Sequence, residues 1–453
     1  MINKIETQIL EKITPTKEYR LKLESTIKNI KLQLGKEIRE RNLPASIELV
    51  GSTAKDTYLK NDLDIDFFLK FPANIPKEEI AKNTLLIGKK ILKETEESYA
   101  EHPYIRGFFD KYNVEIVPCY KIENAKQKLS AVDRTPLHTK FVIENLGESQ
   151  KSDVRLLKQF LKGIKCYGAE SEIEGFSGYL CEILIIKYKS FKNLLIDSKN
   201  WKKGKKISLK KEKSPDFDTP LIFIDPVDIK RNVASALSIE KFRLFIKASS
   251  LYIKKPSKNF FFPNKIEPWS LSKIINVLNE QNFLFIGIKI DKPDIIPENL
   301  YPQVRKASRS IYEASNREGF KVHEVDFHID EMEKKIYFII KTEKGELSKS
   351  FVHIGPPKKL KTHSKEFLKK WQDDSRIIKE PYLKDDRYFV EIKREFIDIV
   401  DFLSKEIKNL SMGKHLDKIV NKNSEILAVK DLLIENLKSF WTEYLDKKMP
   451  WER

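Results

Sequence analysis

The stretch Val50-Gly51-Ser52, followed by Leu63-Asp64-Ile65-Asp66-Phe67-Phe68-Leu69, decides how this chain is read. Ile65, Phe67 and Leu69 alternate with Asp64, Asp66 and Lys70, the two-residue period of a β-strand. Asp64 and Asp66 therefore share one side, and two like charges held together cost free energy unless a cation neutralises them. The plain alternative is the polar face of an edge strand. Gly51-Ser52 weighs against it, because a small-residue turn lets backbone amides approach a phosphate. A phosphate cradle followed by a carboxylate pair that binds metal is an arrangement for transferring a nucleotide.

Upstream, Leu23, Ile27, Ile30, Leu34 and Ile38 recur at helical spacing, with Thr14 as the expected cap and Pro15 in the first turn. Residues 46–50 read as a strand, and 53–58 as the start of a helix whose N-terminus faces the phosphate site. Downstream, 77–95 is expected to be helical and 113–118 to be a strand halted by Pro118. This order predicts an α/β catalytic domain over 1–150. Phosphoryl transfer through a bridging divalent ion needs a third carboxylate from a neighbouring strand. Glu115, set among Val114, Ile116 and Val117, is the candidate, since an acid inside an apolar strand needs compensation. Asp110 is the fallback and reads more as a turn residue.

Residues 151–260 form the next expected domain. It has helices within 152–190 joined through Gly175–Gly178, a basic solvated segment at 202–213, a strand at 221–224 and a helix at 238–252. A linker at 256–268 carries Phe260-Phe261-Phe262, which look exposed. Residues 261–453 then mix a basic helix at 302–318 with antiparallel strands at 321–330 and 335–341, an α+β pattern suited to nucleic acid.

At 453 residues the chain exceeds one core, and 85 Lys+Arg against 67 Asp+Glu give a formal charge of +18, which fits a polyanionic partner. Cys119, Cys166 and Cys181 lack metal-ligand spacing and read as reduced core thiols. The first 17 residues lack the apolar core of a signal peptide, and no apolar run reaches membrane-spanning length. A soluble, cytoplasmic protein is expected.

Several strings carry a family resemblance. Apolar-Gly-Ser followed by Asp64-Ile65-Asp66-Phe67 resembles the DNA polymerase β-like nucleotidyltransferase superfamily. Tyr99-Ala100-Glu101-His102-Pro103-Tyr104, Val117-Pro118-Cys119-Tyr120 and Ser130-Ala131-Val132-Asp133-Arg134-Thr135-Pro136 narrow the likeness. So do Val154-Arg155-Leu156-Leu157-Lys158, Tyr167-Gly168-Ala169-Glu170, Gly175-Phe176-Ser177-Gly178-Tyr179-Leu180-Cys181-Glu182 and Asp225-Pro226-Val227-Asp228. Together they resemble the archaeal-type (class I) CCA-adding tRNA nucleotidyltransferases, densely over the first 260 residues and more sparsely beyond.

That resemblance implies a multidomain α+β protein: a polymerase β-like head with a mixed sheet, a helical central domain, and an α+β RNA-binding body and tail. It implies addition of C, C and A to the tRNA 3′ end from CTP and ATP without a nucleic-acid template. Asp64, Asp66 and Glu115 match carboxylates that hold Mg²⁺. Ser52, Lys55, His138, Lys158, Tyr167 and Arg231 match nucleotide contacts, Arg231 reading the base. The C-terminal half would clamp the acceptor stem and T-arm, and the family often dimerises through it.

The chemistry of each side chain suits its role. Ser52 can donate to phosphate, Lys55 and Lys158 can neutralise it, and Arg231 presents a rigid fork of donors. Without the family, the ordinary fates would be solvated lysines, a packing Tyr167, a His138 in a turn and an Arg231 on any phosphate. Two departures stand out: the family usually has Glu then Asp with Asp third, and an arginine where Lys55 stands. A poly(A)-type polymerase and a non-catalytic RNA-binding protein on the same scaffold are the competing readings.

Overall fold

The computed structural model describes residues 3–60, 62–99, 103–210 and 213–453, so Ala100-Glu101-His102 of the motif at 99–104 lie outside the described residues. The chain opens with α1 (Lys4–Ile13), α2 (Lys17–Glu40), β1 (Ser46–Val50), the single turn α3 (Gly51–Lys55) and β2 (Asp64–Phe71). Then come α4 (Lys77–Ile91), β3 (Lys93–Tyr99), β4 (Pro103–Phe109) and β5 (Tyr112–Tyr120). The strands form a mixed sheet in the order β1-β2-β5-β4-β3, in which only β2 and β5 run parallel. The alternation along β2 divides its faces. Ile65, Phe67 and Leu69 are buried with Leu23, Ile30 and Leu34 of α2 and Ile80 and Ile87 of α4. Asp64 and Asp66 take the opposite face.

A helical layer follows: α5 (Arg134–Asn145), α6 (Glu148–Gly163), α7 (Gly178–Tyr188) and α8 (Phe191–Ser198). The short parallel pair β6 (Lys205–Ile207) and β7 (Leu221–Phe223) precedes α9 (Ile239–Lys254). Leu157, Phe160, Leu184, Phe191, Phe245 and Tyr252 share one core. The chain divides into two compact units, residues 1–265 with 448–453, and residues 266–447. The last residues belong to the first unit because Trp451 stacks on Phe260 at 5.1 Å between ring centroids.

The second unit runs α10 (Leu271–Asn279), β8 (Leu284–Asp291), α11 (Pro297–Glu318), β9 (Val322–Asp330), β10 (Lys335–Thr342) and β11 (Ser350–Pro357). It continues with α12 (Lys361–Lys370), β12 (Ile377–Lys384), β13 (Arg387–Lys393), α13 (Ile399–Glu406), α14 (Lys414–Lys422), β14 (Ser424–Ala428) and α15 (Lys438–Asp446). One sheet is ordered β14-β8-β10-β9 and the other β11-β13-β12. Leu300, Val304, Ala307 and Ile311 of α11 pack on Ile288, Ile336 and Phe338. The expected α+β character holds. Among the described residues no helix is long and apolar enough to cross a membrane.

Several expectations are corrected. Thr16, not Thr14, caps the helix that carries Leu23, accepting from the Tyr19 amide at 3.2 Å, while Thr14 ends α1. The helix expected over 53–58 is one turn, ended by Asp56 in the left-handed region at φ 51°. The helix expected to reach 95 stops at Ile91, and a charged strand without alternation begins at Lys93. Pro118 does not halt β5, which continues to Tyr120. Pro118 lies beyond the last β4 pair, Ile105 with Ile116, so its missing N–H leaves the ladder to β2 intact. His138 sits in α5 rather than a turn, because Pro136 falls in the first helical turn, where no N–H is needed. Phe260 and Phe261 are 4% and 1% exposed; only Phe262, at 38%, reaches the surface.

Candidate active site

Register brings the acids together. Asp66 on β2 lies beside Glu115 on β5, and Glu115 lies beside Arg106 on β4. Asp64 is exposed and Asp66 half-buried. Gly51 follows β1 with φ +73°, and a Cβ there would fall 1.9 Å from Asp66 Oδ2. Glycine is required on both counts, and the turn closes directly on the carboxylate. Thr53 Oγ1 donates to the Asp64 carbonyl at 2.6 Å, tying α3 to the start of β2. The Ser52 hydroxyl makes no hydrogen bond within the protein among the described residues. Asp110 takes the β4–β5 turn at φ 52°, as a turn residue would.

Burial, then the charges of Glu115 and Asp64, push the Asp66 carboxyl up to about 7. An acid in that position is short of positive charge. Hard carboxylate oxygens beside one another suit a divalent cation by their chemistry, and Asp64 with Asp66 supply such a pair. Glu115 is turned to Arg106, whose Nε and Nη2 donate to Oε1 at 2.9 and 2.6 Å. Among the described residues no three acidic, histidine or cysteine side chains are gathered as a metal site.

The two predicted lysines are not solvated. Lys158 is 2% exposed and Lys55 8%. Lys55 Nζ meets Glu182 Oε2 at 2.6 Å, and Lys158 Nζ lies 3.7 Å from Glu182 Oε1 and donates to the Thr57 carbonyl at 3.0 Å. Thr57 Oγ1 donates to Glu182 Oε1 at 2.6 Å. Burial raises the Glu182 pKa, but Lys55 and Lys158 outweigh it and hold the carboxylate ionised. Burial lowers the Lys158 pKa against the pull of Glu182. Glu182 on α7 thus pins α3 and the segment after it to α6. Asp56 adds a second pin through Arg155, whose Nη2 donates to Oδ1 at 2.6 Å. A Cβ on Gly178 would sit 3.2 Å from the Tyr167 hydroxyl and 3.8 Å from Lys158 Nζ, so this glycine leaves room where the two side chains converge.

His138 and Arg231 meet at a third acid. Fully buried Asp225 lies 2.9 Å from His138 Nε2 through Oδ2, and the same oxygen accepts from Arg231 Nη1 at 3.0 Å. Tyr179 stacks on His138 at 4.1 Å and donates to Asp225 Oδ1 at 3.3 Å. Burial would raise the Asp225 carboxyl, but His138, the Val227 amide and Arg231 bring it to about 2. Burial lowers the His138 pKa, against Asp225. A neutral imidazole that gives its Nε2–H to the carboxylate turns Nδ1 outward as an acceptor, and the guanidinium on the same carboxylate presents donors, both of fixed direction.

The comparisons fall on all of these parts. A nucleotidyltransferase domain model matches residues 31–138, a tRNA nucleotidyltransferase second-domain model 152–262, and a CCA-adding enzyme C-terminal model 274–429. The CCA-adding enzyme of Picrophilus torridus is 36% identical over 437 residues, covering 95% of this chain and 98% of that protein. That of Methanocaldococcus jannaschii is 36% identical over 448 residues, covering 93% and 96%. The chain belongs to the archaeal CCA-adding enzymes.

As a CCA-adding enzyme it is a tRNA nucleotidyltransferase, and enzymes of this kind generally use divalent metal ions. The structure groups the predicted residues in three places: Ser52 with Asp64, Asp66 and Glu115; Lys55 and Lys158 with Glu182 and, through Gly178, Tyr167; His138 with Arg231. Sequence reasoning gave no role to Glu182, Asp225, Tyr179, Asp56 or Arg106. Glu182 and Asp225 lay in quoted motifs, and a lone acid in the apolar run of α7 was a signal for Glu182. Arg106 carried no signal of its own.

Proposed function

We propose that this CCA-adding enzyme binds CTP and then ATP at the face formed by Gly51-Ser52 and the acids of β2 and β5, and extends the tRNA 3′ end by C, C and A. The 3′-hydroxyl attacks the α-phosphorus and pyrophosphate leaves. Mg²⁺ held by Asp64 and Asp66, with Glu115 completing the set, would neutralise the triphosphate and polarise the reacting oxygens. The observation that carries the reading is Asp66, an under-compensated carboxylate at about 7 with a glycine turn closed against it.

The chain's own groups do the rest. Ser52 offers a hydroxyl to phosphate. Lys55 and Lys158 contribute positive potential from below the turn, held in place by Glu182. Tyr167 borders the Gly178 gap. Asp225 aligns Arg231 and His138 so that guanidinium donors and the imidazole Nδ1 acceptor meet a base edge, where hydrogen-bonding sites discriminate strongly. The acceptor stem and T-arm are assigned to the C-terminal unit, where Lys306 and Arg309 are carried on α11, through shape and phosphate contacts. Dimerisation through that unit is read by sedimentation of the purified protein.

The test uses labelled CTP and ATP with tRNA transcripts ending at the discriminator base, after C, and after CC. The expected products gain CCA, CA and A. Unlimited A addition would move the chain to a poly(A)-type polymerase, and no incorporation with any transcript would favour a non-catalytic RNA-binding protein.

A further inference from the structure

We infer that Arg106 is a positioning residue that sets how readily Glu115 joins Asp64 and Asp66; this rests on the carboxylate site proposed above. Glu115 sits in the sheet between two neighbours of opposite charge, Asp66 on β2 and Arg106 on β4. Paired positions on adjacent strands share a face, so one side chain can serve either neighbour. In this structure it serves Arg106. Nε and Nη2 both donate to Oε1, at 2.9 and 2.6 Å, Nη2 also reaches the Tyr104 hydroxyl at 3.4 Å, and Oε2 accepts no hydrogen bond among the described residues.

The hold is suited to exchange. The side chains of Arg106 and Glu115 are 48% and 21% exposed, and an ion pair so open to water is weak. Arg106 also has somewhere to go. Its partner across β3 is Glu96, so the row runs Asp66, Glu115, Arg106, Glu96 across the sheet. When Glu115 turns inward, Arg106 keeps an acid at its other side and no charge is stranded. The device depends on glutamate at this position, because an aspartate would withdraw the carboxylate from Arg106 by one methylene.

The experiment is Mn²⁺ titration of the nucleotide-free protein, with free Mn²⁺ read by electron paramagnetic resonance, beside steady-state kinetics on tRNA ending in C. Arg106→Gln is expected to tighten Mn²⁺ binding by roughly three- to five-fold, the weight of a half-exposed ion pair, with little change in KM for CTP. Arg106→Lys keeps the charge but loses the two-pronged hold, and should tighten binding in the same direction. In a Glu115→Asp background, Arg106→Gln should shift Mn²⁺ affinity by less than about two-fold, because the pair is already broken. An unchanged affinity in Arg106→Gln, or an equal shift in the wild-type and Glu115→Asp backgrounds, would overturn the inference, the second outcome marking a general charge effect. Asp66→Asn tests the site itself. If it leaves Mn²⁺ binding intact, the carboxylate reading fails first and the role of Arg106 falls with it.

Discussion

Glu182 and Asp66 are both carboxylates drawn away from bulk water within the first unit, and the protein treats them in opposite ways. Glu182 is fully buried and receives two ammonium groups and a hydroxyl. Asp66 is less buried, yet its neighbours are Asp64 and Glu115, and its pKa rises to about 7. An acid whose compensation comes from the chain serves the fold, since removing one partner leaves charge stranded in low dielectric. An acid left short of compensation costs stability and persists where something outside the chain supplies the missing charge. The contrast separates a scaffold acid from the acid of the proposed site without reference to any relative.

The two acids should therefore fail differently when neutralised. Asp66→Asn is expected to reduce nucleotide incorporation by about a thousand-fold or more, on the scale of losing a group that stabilises transition-state charge, while the metal-free protein unfolds no more easily than wild type. Glu182→Gln should cost about 3–5 kcal/mol of stability, because Lys158 and Lys55 lose their carboxylate while remaining buried. Denaturant unfolding and labelled-CTP incorporation on the same preparations check both. A stability loss in Asp66→Asn equal to that in Glu182→Gln would erase the distinction. Gly51→Ala sharpens it from the other side. The added methyl is strained at a positive φ and meets Asp66 Oδ2, so activity should collapse with Asp66 displaced, at a stability cost of about 1–3 kcal/mol.

Much of this was legible in the sequence, for reasons of period. The alternation at 64–69 settled which face carries the acids, and a glycine after a short strand marked the turn that closes on them. The group proposed to read the base was harder, since Asp225 meets His138 across 87 positions and nothing local pairs them. Glu182 was harder still, because its partners Thr57 and Lys55 lie 125 and 127 positions away. The hairpin of β3 and β4 escaped altogether. Lys93-Glu94-Thr95-Glu96-Glu97 has no apolar alternation, so its strand character comes from pairing with β4, and Arg106 could not be placed beside Glu115 without it.

The smallest effect is a slope with pH. An acid whose folded pKa lies above its unfolded value binds more protons in the folded state between the two, so the fold loses stability as pH rises through that window. For Asp66 the window runs from its ordinary value of 3.8 to about 7. Glu182 works in the opposite sense, because its folded pKa is lowered and its contribution is lost as pH falls. Wild-type stability alone mixes the two, so the quantity to measure is the difference between Asp66→Asn and wild type in metal-free buffer. That difference should grow in favour of the variant from about pH 4 to about pH 7 and then flatten. Saturating Mg²⁺ should shrink it, because the cation binds the folded wild-type carboxylate and removes the penalty that the variant escapes. A difference independent of pH would mean that Asp66 is compensated within the chain after all, and it would then belong with Glu182 in the scaffold.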